Sequence, residues 1–219
     1  MKLELIFMGA PASGKGTQTK MLVNELNLPH VDTGSMLRGA IASGSENGKL
    51  AKSFMDKGEL VPIQVVVNII KDRLTQEDCN GGFILDGFPR SVEQAQELDK
   101  ILEEINADSP ANIKVINIDV PFDILIDRIV NRKTCVDCGQ IYNTKFFPSK
   151  VEDVCDKCGG KLNQRSDDNA EIAGSRMNTY KEQTFPLIEY YKEKGWLSNV
   201  NGNQDVKEIY SEIKEILSK

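Results

Sequence analysis

Directly after a short apolar run, the chain reads Gly9-Ala-Pro-Ala-Ser-Gly14-Lys15-Gly16-Thr17. The G-x-x-x-x-G-K spacing is that of a phosphate-binding loop. Such a loop turns successive backbone N–H groups inward, and the helix that follows adds the positive end of its dipole. We expect Lys15 to reach the outer phosphates and Thr17 to lie near a bridging metal ion, although Gly16 displaces this hydroxyl by one place. The alternative is a glycine-rich turn with a surface lysine.

Short apolar or β-branched runs alternate with amphipathic stretches along the chain. The runs, which predict strands, are residues 3–8, 82–85 and 114–120, and the stretches, which predict helices, are residues 15–26, 91–105 and 205–218. Strands that alternate with helices imply parallel strands joined by crossovers, and therefore an α/β fold whose parallel β-sheet is flanked by helices. Ser91, with Gln94 three residues later, predicts a capping box at the start of the 91–105 helix.

Two regions interrupt this alternation. Residues 32–61 are helical in pattern and rich in small residues, with Gly44, Gly48 and Gly58 as candidate hinges or caps. Residues 131–168 show little helical periodicity and contain most of the cysteines. We therefore predict a core domain made of residues 1–31, 62–130 and 169–219, interrupted by one insertion at 32–61 and a second at 131–168.

The composition restricts the classes of partner. The 219 residues include 27 Lys and Arg against 33 Asp and Glu, which gives a formal net charge of -6. A protein that binds duplex nucleic acid is usually basic, so we expect no nucleic-acid partner. The apolar runs are too short to span a bilayer, and the N-terminus lacks the pattern of a signal peptide. We expect a cytoplasmic location and no membrane partner.

Two Cys-x-x-Cys pairs, separated by sixteen residues, predict a structural zinc site. The four cysteines are Cys135, Cys138, Cys155 and Cys158. A glycine follows each pair, as expected where tight turns point backbone N–H groups at thiolate sulfurs. A site with four cysteines has no open position for substrate, so the metal would stabilise the insertion. Iron in the same site and a reduced cluster without metal are the alternatives, and Cys79 has no partner in sequence.

The placement of Gly16 between Lys15 and Thr17, with Pro11 early in the loop, resembles the loop of adenylate kinases and related nucleoside-monophosphate kinases. The resemblance covers nearly the whole chain, and the cysteine insertion resembles the long lid of bacterial-type adenylate kinases. It implies the reversible, Mg²⁺-dependent reaction ATP + AMP = 2 ADP in a monomer, with residues 32–61 as the AMP-binding insertion. Ala12 stands where this family usually has glycine. We predict a negative φ there, since alanine avoids positive φ.

The resemblance also implies the residues of two nucleotide sites. Those for ATP are Ala12, Ser13, Gly14, Lys15, Gly16, Thr17, Arg128, Arg132, Ile141, Tyr142 and Gln204. Those for AMP are Thr33, Arg38, Glu59, Leu60, Val61, Gly87, Phe88, Pro89, Arg90, Gln94, Arg165 and Arg176. The implied catalytic residues are Lys15, Arg90, Arg132, Arg165 and Arg176, and Asp86 would lie near Mg²⁺ through water.

A set of arginines suits this chemistry. ATP and AMP together carry about six negative charges near neutral pH, and phosphoryl transfer spreads charge over equatorial oxygens. The planar guanidinium matches phosphate oxygens better than an ammonium does. Because the AMP phosphate is already ionised, no general base is needed, and we assign no role to His30. Ser35 stands where the family usually has an acid, so a role for that side chain is open.

Several alternatives remain at this point. The segment from Thr33 to Arg38 could be only a capped helix start, Gln94 only a capping residue, and Asp86 with Arg90 only a surface ion pair. A kinase for UMP or CMP is the nearest alternative function, although Thr33 and the long lid favour AMP. A zinc-ribbon nucleic-acid module fused to a P-loop NTPase is the alternative from another class.

Overall fold

Parallel strands form the central sheet of the computed structural model, which describes residues 2–218. In chain order the strands are β1 (Lys2–Met8), β2 (His30–Asp32), β3 (Gly82–Asp86), β4 (Ala111–Asp119), β5 (Arg132–Cys135), β6 (Ile141–Asn143), β7 (Leu162–Asn163) and β8 (Leu197–Asn201). Five of them pair in the order β2-β3-β1-β4-β8, and each neighbouring pair is parallel. The predicted α/β fold is confirmed.

Helices fill the connections between these strands. They are α1 (Lys15–Leu26), α2 (Thr33–Ala42), α3 (Glu46–Met55), α4 (Ile63–Leu74), α5 (Val92–Ile105), α6 (Phe122–Val130), α7 (Ala170–Thr179), α8 (Leu187–Glu193) and α9 (Val206–Leu217). Side-chain oxygens cap five helix starts by accepting a hydrogen bond from a backbone amide of the first turn. These N-cap residues are Asp32, Ser45, Ser91, Asn169 and Asp205.

Strand β1 is buried on both faces of the sheet, which explains its almost continuous apolar sequence. Leu5 and Phe7 pack on one face against helices α1, α6, α7 and α9. Ile6 and Met8 pack on the other against α4, α5 and α8. Glu4 is fully buried, and its carboxylate lies 3.1 Å from Lys2 Nζ. This layering holds the carboxyl ends of the strands at one edge of the sheet.

A second, smaller sheet lies within the cysteine-rich segment. Strands β6, β5 and β7 pair antiparallel in that order. Cys135, Cys155, Tyr142 and Leu162 form its small core. This antiparallel sheet agrees with the lack of helical periodicity in residues 131–168. The exact boundaries of the three parts of the chain stay a prediction.

The glycines of the 32–61 segment have two different uses. Gly44 and Gly58 follow helices with φ of 71° and 72°, as helix-ending residues do. Gly48 instead lies inside α3, where an added Cβ would be 2.1 Å from the carbonyl oxygen of Ala40. It is a close-contact glycine between α2 and α3, and the prediction of a hinge or cap at Gly48 is wrong.

The predicted capping box at α5 is half formed. Ser91 Oγ accepts from the Gln94 amide at 3.2 Å. The Gln94 side chain accepts from the Arg90 amide at 2.8 Å, one residue before the N-cap. Gln94 thus ties the start of α5 to the loop at the end of β3. Within residues 2–218, no helix combines the length and apolar character that crossing a membrane requires.

Candidate active site

Loops at the carboxyl ends of β1, β2 and β3 open onto one cleft of about 740 Å³. Parallel α/β sheets bind ligands at this edge, where loops and helix N-termini converge. All the residues predicted to bind nucleotides line this cleft except Phe88, as does Asp86. Phe88 is 1% exposed and packs in the core beside α4 and α5. Its side chain is therefore a core residue, and its assignment to the AMP site stays a prediction.

The phosphate-binding loop lies between β1 and α1, as predicted. Gly14 caps α1 with φ of 105°, and Gly9 leaves β1 with φ of 138°. An added Cβ at Gly9 would be 2.5 Å from the carbonyl oxygen of Ile118, so no larger residue fits there. Lys15 Nζ donates to the carbonyl oxygens of Gly9 and Ala10 at 2.7 and 2.9 Å. These bonds hold the ammonium at the mouth of the loop.

Ala12 has φ of 62°, so the predicted negative φ is wrong. The Ser13 amide donates to the Ala10 carbonyl oxygen at 3.1 Å and closes a four-residue turn. Pro11 holds the second position of this turn with its fixed negative φ, and a positive φ at the third position then defines a type II turn. Type II turns favour glycine at that position, so Ala12 holds a strained backbone conformation there.

Replacing Ala12 with glycine is expected to raise stability by up to about 1 kcal/mol. Alanine in the left-handed region costs about 1–2 kcal/mol, and the extra backbone entropy of unfolded glycine offsets about half of this. Urea unfolding of the Ala12→Gly variant measures the change. A variant less stable than the parent protein would show that the turn is not strained.

Burial lowers the pKa of Lys15 to about 8. The carboxylate of Asp86 opposes this effect, whereas the charges of Arg90, Arg132 and Arg176 add to it. A lysine with this pKa is still mostly protonated at pH 7 and loses its charge as the pH rises through 8. Anionic phosphates in the loop would restore the ordinary pKa, so the site is poised to gain from an anion.

We therefore expect affinity for ATP to fall as the pH rises above about 8, approaching a tenfold loss per pH unit. The terminal phosphate of ATP is already fully ionised in this range, so the change belongs to Lys15. Calorimetric titration with ATP between pH 7 and 9.5 measures it. AMP provides the comparison, and its affinity should stay flat to about pH 8.5, because burial lowers the pKa of Arg165 in its site only to about 9. An ATP dissociation constant that stays flat to pH 9.5 would contradict the assignment.

The other end of the cleft is built around the ends of β2 and β3. Thr33 and Arg38 lie on α2, and Arg90 follows β3. Arg90 Nε donates to the Gly87 carbonyl oxygen at 2.8 Å, which folds this side chain over its own loop. An added Cβ at Gly87 would be 3.2 Å from Arg90 Nη2, so glycine leaves room for the guanidinium. Thr33 Oγ1 is buried without a hydrogen-bond partner.

Two neighbouring aspartates orient the arginines between these ends. Arg132 Nε donates to Asp168 Oδ2 at 2.7 Å. Arg176 Nη1 donates to Asp168 Oδ1 and to Asp167 Oδ2, both at 3.0 Å. Arg165 Nε donates to Thr134 Oγ1 at 3.2 Å and has no carboxylate in direct contact among the described residues. Burial and the neighbouring Arg132 lower the pKa of Arg165 to about 9.

The cleft carries the opposite charge to the chain as a whole. Eight lysines and arginines line it against five aspartates and glutamates, whereas the whole chain carries -6. Crowded cations raise the energy of the free site, and bound anions relieve it. The arrangement fits a ligand with several phosphates.

The four predicted cysteines come together in the small sheet, with their ligand atoms all within 4.8 Å of one another. Cys135 Sγ lies 3.4 Å from Cys158 Sγ, and Cys138 Sγ lies 3.6 Å from Cys155 Sγ. A disulfide would need about 2.05 Å. Tetrahedral zinc with bonds of 2.3 Å places sulfurs about 3.8 Å apart, so the cluster fits this metal.

The two Cys-x-x-Cys turns share the same backbone conformation and the same hydrogen bond. Gly139 and Gly159 have φ of 65° and 74°, and their amides donate to the carbonyl oxygens of Cys135 and Cys155. Burial raises the pKa of Cys155, but hydrogen bonds from the Tyr142 hydroxyl and from backbone amides outweigh it and lower the pKa to about 6. Two such turns bring the four sulfurs into one group that could hold a metal ion.

A family model described as "Adenylate kinase" matches residues 7–196. The chain belongs to the adenylate kinase family. Its relatives include the adenylate kinases of Thermodesulfovibrio yellowstonii, 52% identical over 99% of this chain and 100% of the relative, and of Archaeoglobus fulgidus, 49% identical over 99% of each chain. The adenylate kinase of Bacillus subtilis is 46% identical over 98% of each chain.

Some residues of this adenylate kinase cleft were not predicted from the sequence. Phe146 and Phe147, about half exposed, line it from the small sheet. Their adjacency in a polar insertion is a visible signal, because exposed aromatic rings offer surfaces on which bases stack. Asp32, Asp167 and Asp168 also act on the arginines, but only the fold brings Asp168 beside Arg132. Thr179 and Tyr180 line the cleft from the end of α7 and carry no motif.

Proposed function

We propose that this chain catalyses ATP + AMP = 2 ADP by direct transfer of the terminal phosphoryl group of ATP to the AMP phosphate. One observation carries the proposal: a phosphate-binding loop and a second arginine-lined corner open onto the same cleft, with more arginines between them. A hydrolase needs one nucleotide site and a route for water. This cleft has room and charge for two nucleotides.

The donor site is the phosphate-binding loop. Backbone amides of the loop and the N-terminus of α1 would bind the phosphates of ATP. Lys15 leaves the carbonyl oxygens of Gly9 and Ala10 and binds the transferred group, with Arg132 beside it. Ile141 and Tyr142 from the small sheet, Arg128 and Gln204 would surround the adenosine.

The acceptor site is the corner between α2 and the loop after β3. Arg38 and Arg90 would bind the AMP phosphate, and Arg165 and Arg176 would bind the transferred group from the other side. Thr33 brings a buried, unpaired hydroxyl to the base pocket. Gln94 Oε1 accepts a hydrogen bond from the Arg90 backbone amide. The NH₂ group of Gln94 would then donate to the adenine.

Asp86 and Thr17 would hold the Mg²⁺ that accompanies ATP, Asp86 through water. The residues fit: a carboxylate, a hydroxyl and phosphate oxygens are the ligands that Mg²⁺ prefers. Asp86 Oδ2 faces the loop, since an added Cβ at Gly16 would be 3.7 Å from it. When bound, the ion neutralises charge on the phosphates of ATP. The four cysteines would hold zinc, which stabilises the small sheet without taking part in transfer.

The reaction needs orientation and charge more than proton transfer. The AMP phosphate is ionised at neutral pH and attacks without a base. Arginines and Lys15 hold the attacking and transferred groups in line and offset the charge that spreads over the equatorial oxygens. Water competes as acceptor, so the cleft must close. Residues 32–61 and 131–168 would be the parts that close over the cleft. Lys20 of α1 donates a hydrogen bond to the Gly139 carbonyl oxygen of the 131–168 segment.

We propose that the protein acts as a monomer, because one chain supplies both nucleotide sites. A reducing compartment such as the cytoplasm would keep the four cysteine thiols available for metal. The excess of acidic residues on the chain as a whole argues against a nucleic-acid partner.

Steady-state kinetics with ATP fixed and AMP, UMP or CMP varied test the function. We expect kcat/KM for AMP to exceed that for each pyrimidine nucleotide by at least about a hundredfold, since a site that hydrogen-bonds one base rejects another strongly. Turnover with UMP or CMP in preference to AMP would instead assign the chain to the pyrimidine monophosphate kinases.

A further inference from the structure

Ser35 lies in the first turn of α2, where the N-cap residue Asp32 provides a carboxylate. Asp32, at the end of β2, accepts from the Ser35 amide at 3.2 Å through Oδ1. Its other oxygen, Oδ2, accepts from the Ser35 hydroxyl. Both contacts lie within the first turn of α2. The carboxylate thus lies against the start of this helix.

The same hydroxyl also contacts an arginine of the acceptor corner. Arg38 Nη2 donates to Ser35 Oγ at 3.2 Å and lies 3.9 Å from Asp32 Oδ2. An added Cβ at Gly34 would be 3.1 Å from Arg38 Nη1, so the guanidinium lies close over the Gly34 backbone. Asp32, Ser35 and Arg38 therefore form one hydrogen-bonded chain on α2, which we term the Asp32 relay.

We infer that the Asp32 relay positions the Arg38 guanidinium for the phosphate of the acceptor nucleotide. The inference rests on the proposed function, in which Arg38 binds that phosphate. An arginine side chain has many rotamers, and fixing it before binding reduces the entropy lost when the ligand arrives. Ser35 bridges a carboxylate and a guanidinium, which a hydroxyl can do because it donates and accepts at once.

Two simpler explanations make different predictions. If Asp32 were only the N-cap of α2, serine in its place would serve nearly as well, because the two residues cap helices about equally. If its charge acted only through space, removing it would strengthen binding, because a carboxylate repels a phosphate. The relay alone predicts weaker binding of the monophosphate when the carboxylate is replaced by a capping serine.

The test uses the Asp32→Ser variant with steady-state kinetics in both substrates. We expect KM for AMP to rise about ten- to a hundredfold, as for the loss of a hydrogen bond to a charged group. KM for ATP should change by less than about twofold, because the donor loop does not touch the relay. Ser43→Ala, at the exposed C-terminal end of the same helix, is the matched control and should change neither KM.

A second variant keeps the inference falsifiable if the first one loses stability. Adding Ser35→Asp to Asp32→Ser places a carboxylate three residues before Arg38, and KM for AMP should return to within about twofold of the parent value. In an Arg38→Ala background, Asp32→Ser should not raise KM for AMP further, because the effects of residues in one hydrogen-bonded chain are not additive.

An unchanged or lower KM for AMP in Asp32→Ser would overturn the inference, as would an equal rise in both KM values. An effect that persists in full without Arg38 would overturn it as well. Failure of the parent protein to make ADP from ATP and AMP is a separate result, and it would refute the proposed function before any variant is compared.

Discussion

The Lys15→Met variant is expected to lose at least about a thousandfold in kcat/KM for ATP and AMP. Lys15 is the lysine of the phosphate-binding loop, and the transferred group must pass it. Removing a single hydrogen-bond donor that faces developing charge lowers kcat by about a hundred- to a thousandfold. A well-placed cation in phosphoryl transfer raises kcat by up to about 10⁵-fold. Methionine preserves the length of the side chain and removes only the ammonium.

The Lys100→Met variant is the matched control. Lys100 lies exposed on α5 and pairs with Glu97 three residues before it, at 2.6 Å. Such surface pairs contribute little, so activity and melting temperature should stay near the parent values. The Lys15 variant should also remain folded, because removing a buried charge lowers the desolvation penalty. A loss below about tenfold in kcat/KM would show that Lys15 does not act on the transferred group.

Removing the metal from the four-cysteine cluster should produce the second large effect. The small sheet has a core of only four buried side chains, so its order depends on the bonds to the metal. We expect the melting temperature to fall by about 5–15 °C, because each kcal/mol shifts it by about 2–4 °C in a chain of this size. KM for ATP should rise as well, since Ile141 and Tyr142 lie on β6 of this sheet.

Metal analysis and calorimetry check this prediction. The purified protein should contain one zinc per chain, and Cys155→Ser should abolish zinc binding and lower the melting temperature by the same amount as metal removal. Cys79→Ala is the control, because Cys79 is buried beside Arg73, far along the chain from the other four cysteines, and should not change metal content. Iron in place of zinc would change the metal but not the structural role. A Cys155→Ser variant that melts at the parent temperature would contradict that role.

Much of the fold could be predicted because local sequence signals and tertiary structure agree. The apolar run 3–8 is buried on both faces of the sheet, and the loop after it needs glycines at 9 and 14 for their positive φ. The Cys-x-x-Cys spacing predicted the four cysteines whose sulfur atoms come together in the small sheet. These features depend on residues near one another in the chain.

The errors arose where a distant contact or a neighbouring residue decided the outcome. Ala12 adopts positive φ at the third position of the turn that begins at Ala10, and Pro11 before it is compatible with either sign of φ there. The prediction of a hinge or cap at Gly48 is wrong because α2 passes against this residue and leaves no room for a side chain. Asp168 reaches Arg132 across 36 positions in sequence. Only packing decides such pairs.

Isotope transfer gives the most direct test of the two-nucleotide cleft. The parent protein is mixed with ATP labelled in its terminal phosphate and equal amounts of AMP, UMP, CMP and GMP, and the products are separated. We predict that the label appears in the β-phosphate of ADP, with little in inorganic phosphate, because the closed cleft excludes water. Label that accumulates in UDP or CDP, or in free phosphate at the rate of ATP loss, would contradict the assignment.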